Sequence, residues 1–262
     1  MLKISIVNSN QELLAEKTIS ERGYLFYEKA YQEGDRIQIE LPGAGQFLKV
    51  KIDDAMAETI IFVAGKNWHF EIPSEQNLRS YPVHAFSGER HYISVVVPSD
   101  DEVYAYRNLA FNPIDQNKKE EAYPHAVANV ETRNEATFFA RNAIDGVLAN
   151  EGHGYWPYQS WGINRQADAA LRVYFGQEVE VDRIGIALRA DFPHDSYWTQ
   201  ATLAFSDGSQ EIVPLEKALD LQFFSIDKRL VEWVEIKELI KADDESPFPA
   251  LSQLEVYGKY VK

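Results

Sequence analysis

The sequence predicts an all-β protein built of two β-sandwich domains. Three observations predict it. Short runs that alternate polar and apolar residues recur along the chain, with turn residues between them. Aromatic residues make up 13% of the 262 residues and concentrate in those runs, where a pleated surface favours them. In the first half, helical composition is confined to one short stretch, residues 11–18.

The elements follow in order. Arg36-Ile37-Gln38-Ile39-Glu40-Leu41 and Leu48-Lys49-Val50-Lys51-Ile52 each alternate as a half-buried strand does. Residues 59–63 form a continuous β-branched and aromatic run, suited to a strand covered on both faces. Residues 68–72 alternate again, and residues 91–97 close the first series. Pro42-Gly43, Gly65-Lys66-Asn67, Pro73-Ser74 and Ser87-Gly88 supply the turns. In the second half the strand candidates are residues 170–175, 181–188, 201–205, 211–213, 221–225, 231–236 and 254–257, with a hairpin turn at Asp207-Gly208. Residues 139–144 and 215–219 read as short helical turns. Between the halves, Asn112-Pro113-Ile114-Asp115-Gln116-Asn117-Lys118-Lys119-Glu120-Glu121 is polar and aperiodic. The expected division is a domain over 1–112, a linker over 113–122 and a second domain over 123–262.

Composition excludes several classes of function. A net charge of −15 opposes nucleic-acid backbone as a partner and opposes an anionic membrane surface, since both require a clustered basic face. The chain has no cysteine, which removes disulfides, thiolate metal sites and a cysteine nucleophile together. Residues 1–10 lack the basic start and apolar core of a secretory signal, and no apolar run approaches the ~18 residues of a membrane span. The expectation is a cytoplasmic protein. His69, His84, His91, His125, His153 and His194 form no close zinc-binding pair. There is no serine elbow, phosphate loop or dinucleotide fingerprint. Asp191 and Asp195 lie on one loop, whereas glycoside hydrolysis needs carboxylates across the scissile bond.

The densest cluster of functional groups is Leu188-Arg189-Ala190-Asp191-Phe192-Pro193-His194-Asp195-Ser196-Tyr197-Trp198. A guanidinium can fork two hydrogen bonds to neighbouring sugar hydroxyls, carboxylates and imidazole add directional partners, and an aromatic ring takes the apolar face of a sugar. On this reading Arg189, Asp191, His194 and Asp195 bind, and Trp156, Trp161 or Trp198 stacks. The alternative is a structural turn in which Arg189 pairs with Asp191 or Asp195. Trp68 and Trp233 lie in alternating runs and read as core.

The second half also carries an ordered set of short motifs. These are Ala140-Arg141-Asn142-Ala143-Ile144-Asp145-Gly146, Ser160-Trp161-Gly162, Leu171-Arg172-Val173-Tyr174-Phe175-Gly176, Val181-Asp182-Arg183-Ile184-Gly185-Ile186, Leu203-Ala204-Phe205-Ser206-Asp207-Gly208-Ser209 and the closing Leu251-Ser252-Gln253-Leu254-Glu255-Val256-Tyr257-Gly258. Together they resemble the discoidin or coagulation-factor C-type domains and the related family 32 carbohydrate-binding modules. The resemblance spans residues 123–258, about half the chain. It implies an eight-stranded jelly-roll-like sandwich with ligand loops at one end and a sugar as partner. It places a strand-end arginine at Arg189, with His194 and Asp195 near the polar position that follows. The loop after Asp145-Gly146 would contribute His153, Trp156, Gln159 and Trp161, although Pro157 stands where the family usually has a histidine after the tryptophan. It also implies a structural calcium held by Asp145 and Glu255, against the simpler role of Asp145 as a turn cap. The leading expectation is therefore a non-catalytic carbohydrate-binding protein. A protein-interaction or homo-oligomeric assembly module is the alternative, and a sugar-active enzyme is third.

Overall fold

The computed structural model describes residues 1–117, 121–192 and 196–262. The first half has eight strands: β1 (Leu2–Val7), β2 (Leu13–Ile19), β3 (Arg22–Tyr27), β4 (Arg36–Glu40), β5 (Gln46–Lys51), β6 (Thr59–Val63), β7 (Asn67–Glu71) and β8 (His91–Val96). After them come a helical turn, α1 (Asp100–Val103), and the short strands β9 (Arg107–Asn108) and β10 (Ala122–Tyr123). The second half contains β11 (His125–Ala128), β12 (Trp161–Gly162), β13 (Leu171–Leu188), β14 (Trp198–Phe205), β15 (Gln210–Pro214), β16 (Gln222–Lys241) and β17 (Ala250–Tyr260).

The N-terminal half is a two-sheet sandwich. One sheet has the order β2-β1-β4-β7, the other β10-β6-β5-β8-β3. Ile4, Ile37 and Phe70 from the first meet Leu48, Ile61 and Ile93 from the second in one buried cluster. Each such side chain contributes roughly 1.5–3 kcal/mol by leaving water. The alternation read from residues 36–41 is the burial alternation of β4. Residues 11–18, expected to be helical, form most of β2 instead. Leu-Leu-Ala-Glu-Lys has good helix propensity, but it lies antiparallel along β1 with Leu2 opposite Ile19 and Ile4 opposite Lys17. The sheet partner overrides the local preference.

The C-terminal half is one hydrogen-bonded sheet in the order β12-β17-β13-β16-β14-β15, with β11 added to β13 and β9 to β17. Its long strands account for runs that the sequence presents separately. The runs at 170–175 and 181–188 are one strand, β13, and those at 221–225 and 231–236 are both within β16. The pairing of β13 with β16 shifts register between Tyr174 and Val179. Gly176 lies in that gap at φ +72°, and a Cβ there would come within 2.5 Å of the Tyr123 ring. Leu171, Val173 and Phe175 before the shift and Val179, Val181, Ile184 and Ile186 after it all enter one core.

The segment expected to be an exposed linker is largely buried. Asn112, Ile114, Asp115 and Ala122 are all inaccessible. Ile114 and Ala122 join the N-terminal core, whereas Val103, Leu109 and Ala110, earlier in the chain, join the C-terminal core. The chain therefore crosses between the cores more than once. Arg141 fastens the crossing: its guanidinium donates to the carbonyls of Asp115 (2.7 Å) and Pro113 (2.9 Å) and lies 4.3 Å from the Tyr81 ring centre. The polar residues Asn112 and Asp115 reflect buried hydrogen bonding rather than exposure, and residues 118–120 lie outside the described residues. Among the described residues, no helix is long and apolar enough to cross a membrane.

Candidate functional site

At one end of the C-terminal sheet, loops enclose a pocket of about 240 Å³. The first residues after β13 supply Arg189 and Asp191, and the loop before β12 supplies His153. The turn at Thr132–Asn134 supplies Thr132 and Arg133, and the segment after β12 supplies Ile163, Asn164 and Arg165. Residues 246–250, entering β17, form the remaining wall with Ser246, Phe248 and Pro249. Phe138, Ile163, Phe248 and Pro249 make it partly apolar.

Hydrogen bonds set the strand end from which Arg189 projects. The Arg189 N–H donates to the Ala250 carbonyl (3.0 Å) and the Ala190 N–H to the Asn150 carbonyl (2.7 Å). The buried Asn150 amide donates to the carbonyls of Leu188 (2.7 Å) and Leu219 (2.9 Å). Arg189 itself is only 8% exposed. Its guanidinium donates to the Phe248 carbonyl and has Nε 3.9 Å from Asp191 Oδ1. Asp191 Oδ2 lies 2.5 Å from His153 Nδ1. Asp191 Oδ1 is buried and has no hydrogen-bond partner among the described residues. The pairing of Arg189 with Asp191 read from the sequence is present, within a pocket wall. Through that bond to the Phe248 carbonyl Arg189 holds the Phe248 loop, and the more exposed groups are its neighbours. The His153 side chain is 59% exposed and Phe248 47%. The Arg165 guanidinium lies 4.5 Å from the Phe248 ring centre.

Of the residues singled out from the sequence, the pocket gathers Arg189, Asp191 and His153. His194 and Asp195 lie outside the described residues. Trp161 and Trp198 are in neither a loop nor a ligand site: both are fully buried, with ring centres 6.3 Å apart, and belong to the core. Trp161 also donates its indole N–H to the Val130 carbonyl at 2.9 Å. Trp156 turns to the N-terminal half, where its backbone N–H donates to the Arg79 carbonyl (2.8 Å), and it does not line the pocket. Sequence reading missed Phe248, Arg133 and Arg165. Phe248 did carry a signal, because an aromatic between Pro247 and Pro249 is poorly placed to join a β-ladder.

The proposed calcium ligands have other partners. Asp145 is buried, and its carboxylate accepts N–H groups on both oxygens. Val147 N–H (2.9 Å) and the Gln253 amide (2.8 Å) donate to Oδ1, and the Gln159 amide (2.7 Å) donates to Oδ2. Gln159 is thus a buried structural residue rather than a sugar contact. Glu255 accepts the Tyr257 hydroxyl at 2.7 Å. A hard cation needs several free oxygens. A carboxylate saturated by N–H donors does not fit that need, and among the described residues no three acidic or histidine side chains gather to hold a metal. Burial pushes the Asp145 carboxyl up to about 6, although the Arg141 charge and the three N–H groups oppose the shift.

No protein-family model matches the chain, and no curated protein matches it. Solved structures with similar folds include three sugar-binding modules. The family 32 carbohydrate-binding module from C. perfringens NanJ, in complex with galactose, is 23% identical, covering 50% of this chain and 91% of its own, with a TM-score of 0.39. Chitosan-binding module 1 of a chitosanase/glucanase from Paenibacillus sp. IK-5 is 20% identical over 58% of this chain and 99% of its own, at 0.39. A fucose-binding module from Streptococcus pneumoniae is 14% identical over 58% of this chain and 97% of its own, at 0.41.

Proposed function

We propose that the C-terminal sheet carries a non-catalytic carbohydrate-binding site in the pocket bounded by Arg189, His153 and Phe248. The observation that carries this reading is the combination of an exposed ring with a fixed polar wall. Phe248 offers apolar surface at the mouth, and its position is held by the Arg189 guanidinium on its own carbonyl. His153, oriented by Asp191, stands exposed in the lining, which also includes Asn164 and Ser246. A sugar presents this pairing of surfaces, C–H on one face and hydroxyls around the edge. The ordered motifs of the second half favour the same reading.

The test is a broad glycan array with the full chain, followed by calorimetry on any ligand found. Phe248→Ala should retain the wild-type circular dichroism and bind roughly 10-fold more weakly, because a well-placed aromatic contact is worth on the order of 1–1.5 kcal/mol. Absence of binding across the array, or unchanged affinity in the folded Phe248→Ala variant, overturns the proposal. The first outcome favours an assembly role, checked by solution mass.

A further inference from the structure

We infer that the pocket selects an acidic saccharide, one whose ring carries a carboxylate or a sulfate. The inference rests on the sugar-binding reading and narrows its ligand. Among the described residues the pocket lining holds three arginines, Arg133, Arg165 and Arg189, and one carboxylate, Asp191. It does so on a chain with 41 acidic and 26 basic residues. A cationic concavity on such a surface runs against the composition and concentrates a field that attracts anions.

The hydrogen-bonding capacity of the pocket points the same way. Its carboxylate presents little acceptor capacity to a ligand, with Asp191 Oδ2 facing His153 and Oδ1, though without a partner among the described residues, closed off from the surface. Arg189 is engaged by the Phe248 carbonyl and faces Asp191. Arg133 is bound through two nitrogens to Glu135, at 2.7 and 2.8 Å. Arg165 is exposed, rests on the Phe248 ring, and has no carboxylate partner among the described residues. Among the described charged groups of the lining, the capacity left open to a ligand is therefore that of a donor, Arg165. A neutral sugar hydroxyl both donates and accepts, whereas a carboxylate or sulfate only accepts, and a guanidinium meets it through two parallel hydrogen bonds.

The two exposed arginines are also held in place. Arg133 and Asn134 have φ of 54° and 52°, and Asn164 and Arg165 have 48° and 62°. Three of these residues, Arg133, Asn164 and Arg165, line the pocket, and left-handed backbone at side-chain-bearing positions is a costly arrangement that needs external support. It has that support: the Asn164 N–H donates to Thr132 Oγ1 at 2.9 Å, tying one turn to the other, and the Gln166 N–H closes its own turn on the Ile163 carbonyl at 2.8 Å. The result is a pair of fixed cationic turns beside a ring.

The experiment is an array carrying uronate, sialate and sulfated glycans next to their neutral counterparts. Calorimetry of the best acidic ligand and its methyl ester or desulfated form follows, on wild type and on Arg165→Gln. Arg165 is exposed and forms no buried contact, so the variant should fold. The expected result is that acidic glycans dominate the array. Removing the ligand charge weakens binding about 10- to 100-fold, as for loss of one charge-assisted bond, and Arg165→Gln abolishes most of that difference. Affinity should also fall as salt rises. If neutral counterparts bind as tightly, the acidic selectivity is wrong while the sugar site stands. If no glycan binds, both readings fall. If acetate, sulfate or phosphate alone binds as tightly as the acidic glycan, the pocket is a simple anion site and the saccharide assignment is overturned. The uronate and sulfate arms separate the two sources of charge.

Discussion

Two polar clusters in the C-terminal half look alike in sequence and differ in what surrounds them. Arg189, Asp191 and His153 lie at a strand end where loops leave a pocket open, and His153 and its neighbours face water. Asp145, Gln159 and Gln253 are sealed, with three N–H groups spent on one carboxylate. Each cluster has an acid and its hydrogen-bond partners. The first retains exposed groups that a ligand can meet, while the second has been satisfied by the protein itself. Accessible, unsatisfied capacity separates a binding site from a structural network, and residue type alone does not reveal it.

The comparison is broken most directly at the tryptophans, which the sequence assigns to the open cluster and the fold assigns to the core. Trp198→Ala should cost about 3–5 kcal/mol in urea unfolding, the usual cost of emptying a buried indole site. Phe248→Ala, at an exposed ring, should cost well under that. If Trp198→Ala leaves stability unchanged, the indole does not pack as described and its place in a ligand loop reopens.

The closed cluster predicts a pH effect. The Asp145 carboxyl titrates near 3.8 when unfolded and near 6 when folded. Between those values the folded state keeps a proton that the unfolded state has lost. The Asp145 contribution to stability is thus largest below pH 3.8, declines as pH rises through about 6, and is constant above it. The total change is about 3 kcal/mol. Asp145→Asn has no proton to lose. Its amide can donate to Gln159 once the Gln159 amide turns over, and Gln159 Oε1 otherwise has no hydrogen-bond partner among the described residues. Urea unfolding of the two proteins at pH 4 and pH 7 should show wild type losing about 2–2.5 kcal/mol relative to the variant, less than the total because the unfolded carboxyl is already more than half ionised at pH 4. Equal differences at both pH values would mean that the carboxyl titrates normally. Added calcium should shift neither protein's melting temperature, and a shift lost in Asp145→Asn would restore the metal site.

Much of the fold was legible because a half-buried strand prints its period of two on the sequence. β4 and β8 are read almost to the residue for that reason, and β6 because a continuous β-branched and aromatic run marks a strand covered on both faces. β2 was not legible, because Leu13, Leu14, Ala15, Glu16 and Lys17 suit a helix and only the pairing with β1 decides otherwise. The segment around Asp115 was misread because polar residues look alike whether they face water or the Arg141 guanidinium. In the site, Arg189, Asp191 and His153 could be found because a strand end crowded with charge is unusual. Arg165 and Phe248 could not be joined to them, since they lie 24 and 59 positions from Arg189 and only the closure of the sheet brings them to one mouth. Gln253 was overlooked in favour of Glu255, two residues along the same strand, because a carboxylate attracts attention as a ligand and an amide does not.

The smallest expected effect sharpens the contrast between open and closed clusters. His153 contacts Asp191 from a largely exposed position, so the pair is screened by water and worth about 0–1 kcal/mol to folding. His153→Ala should therefore unfold within about 1 kcal/mol of wild type. It should nonetheless alter the pocket, because it removes both an exposed wall group and the partner that occupies Asp191 Oδ2. Freed of the imidazole, that oxygen becomes an acceptor on the pocket wall. Binding of an acidic glycan should weaken, through the exposed negative charge and the lost donor, while a neutral ligand should be affected less. Parallel calorimetry on an acidic glycan and its neutral form reads this directly. A His153→Ala variant that loses several kcal/mol of stability would show that the open cluster is structural after all, and the distinction between the two regions would fail at that residue.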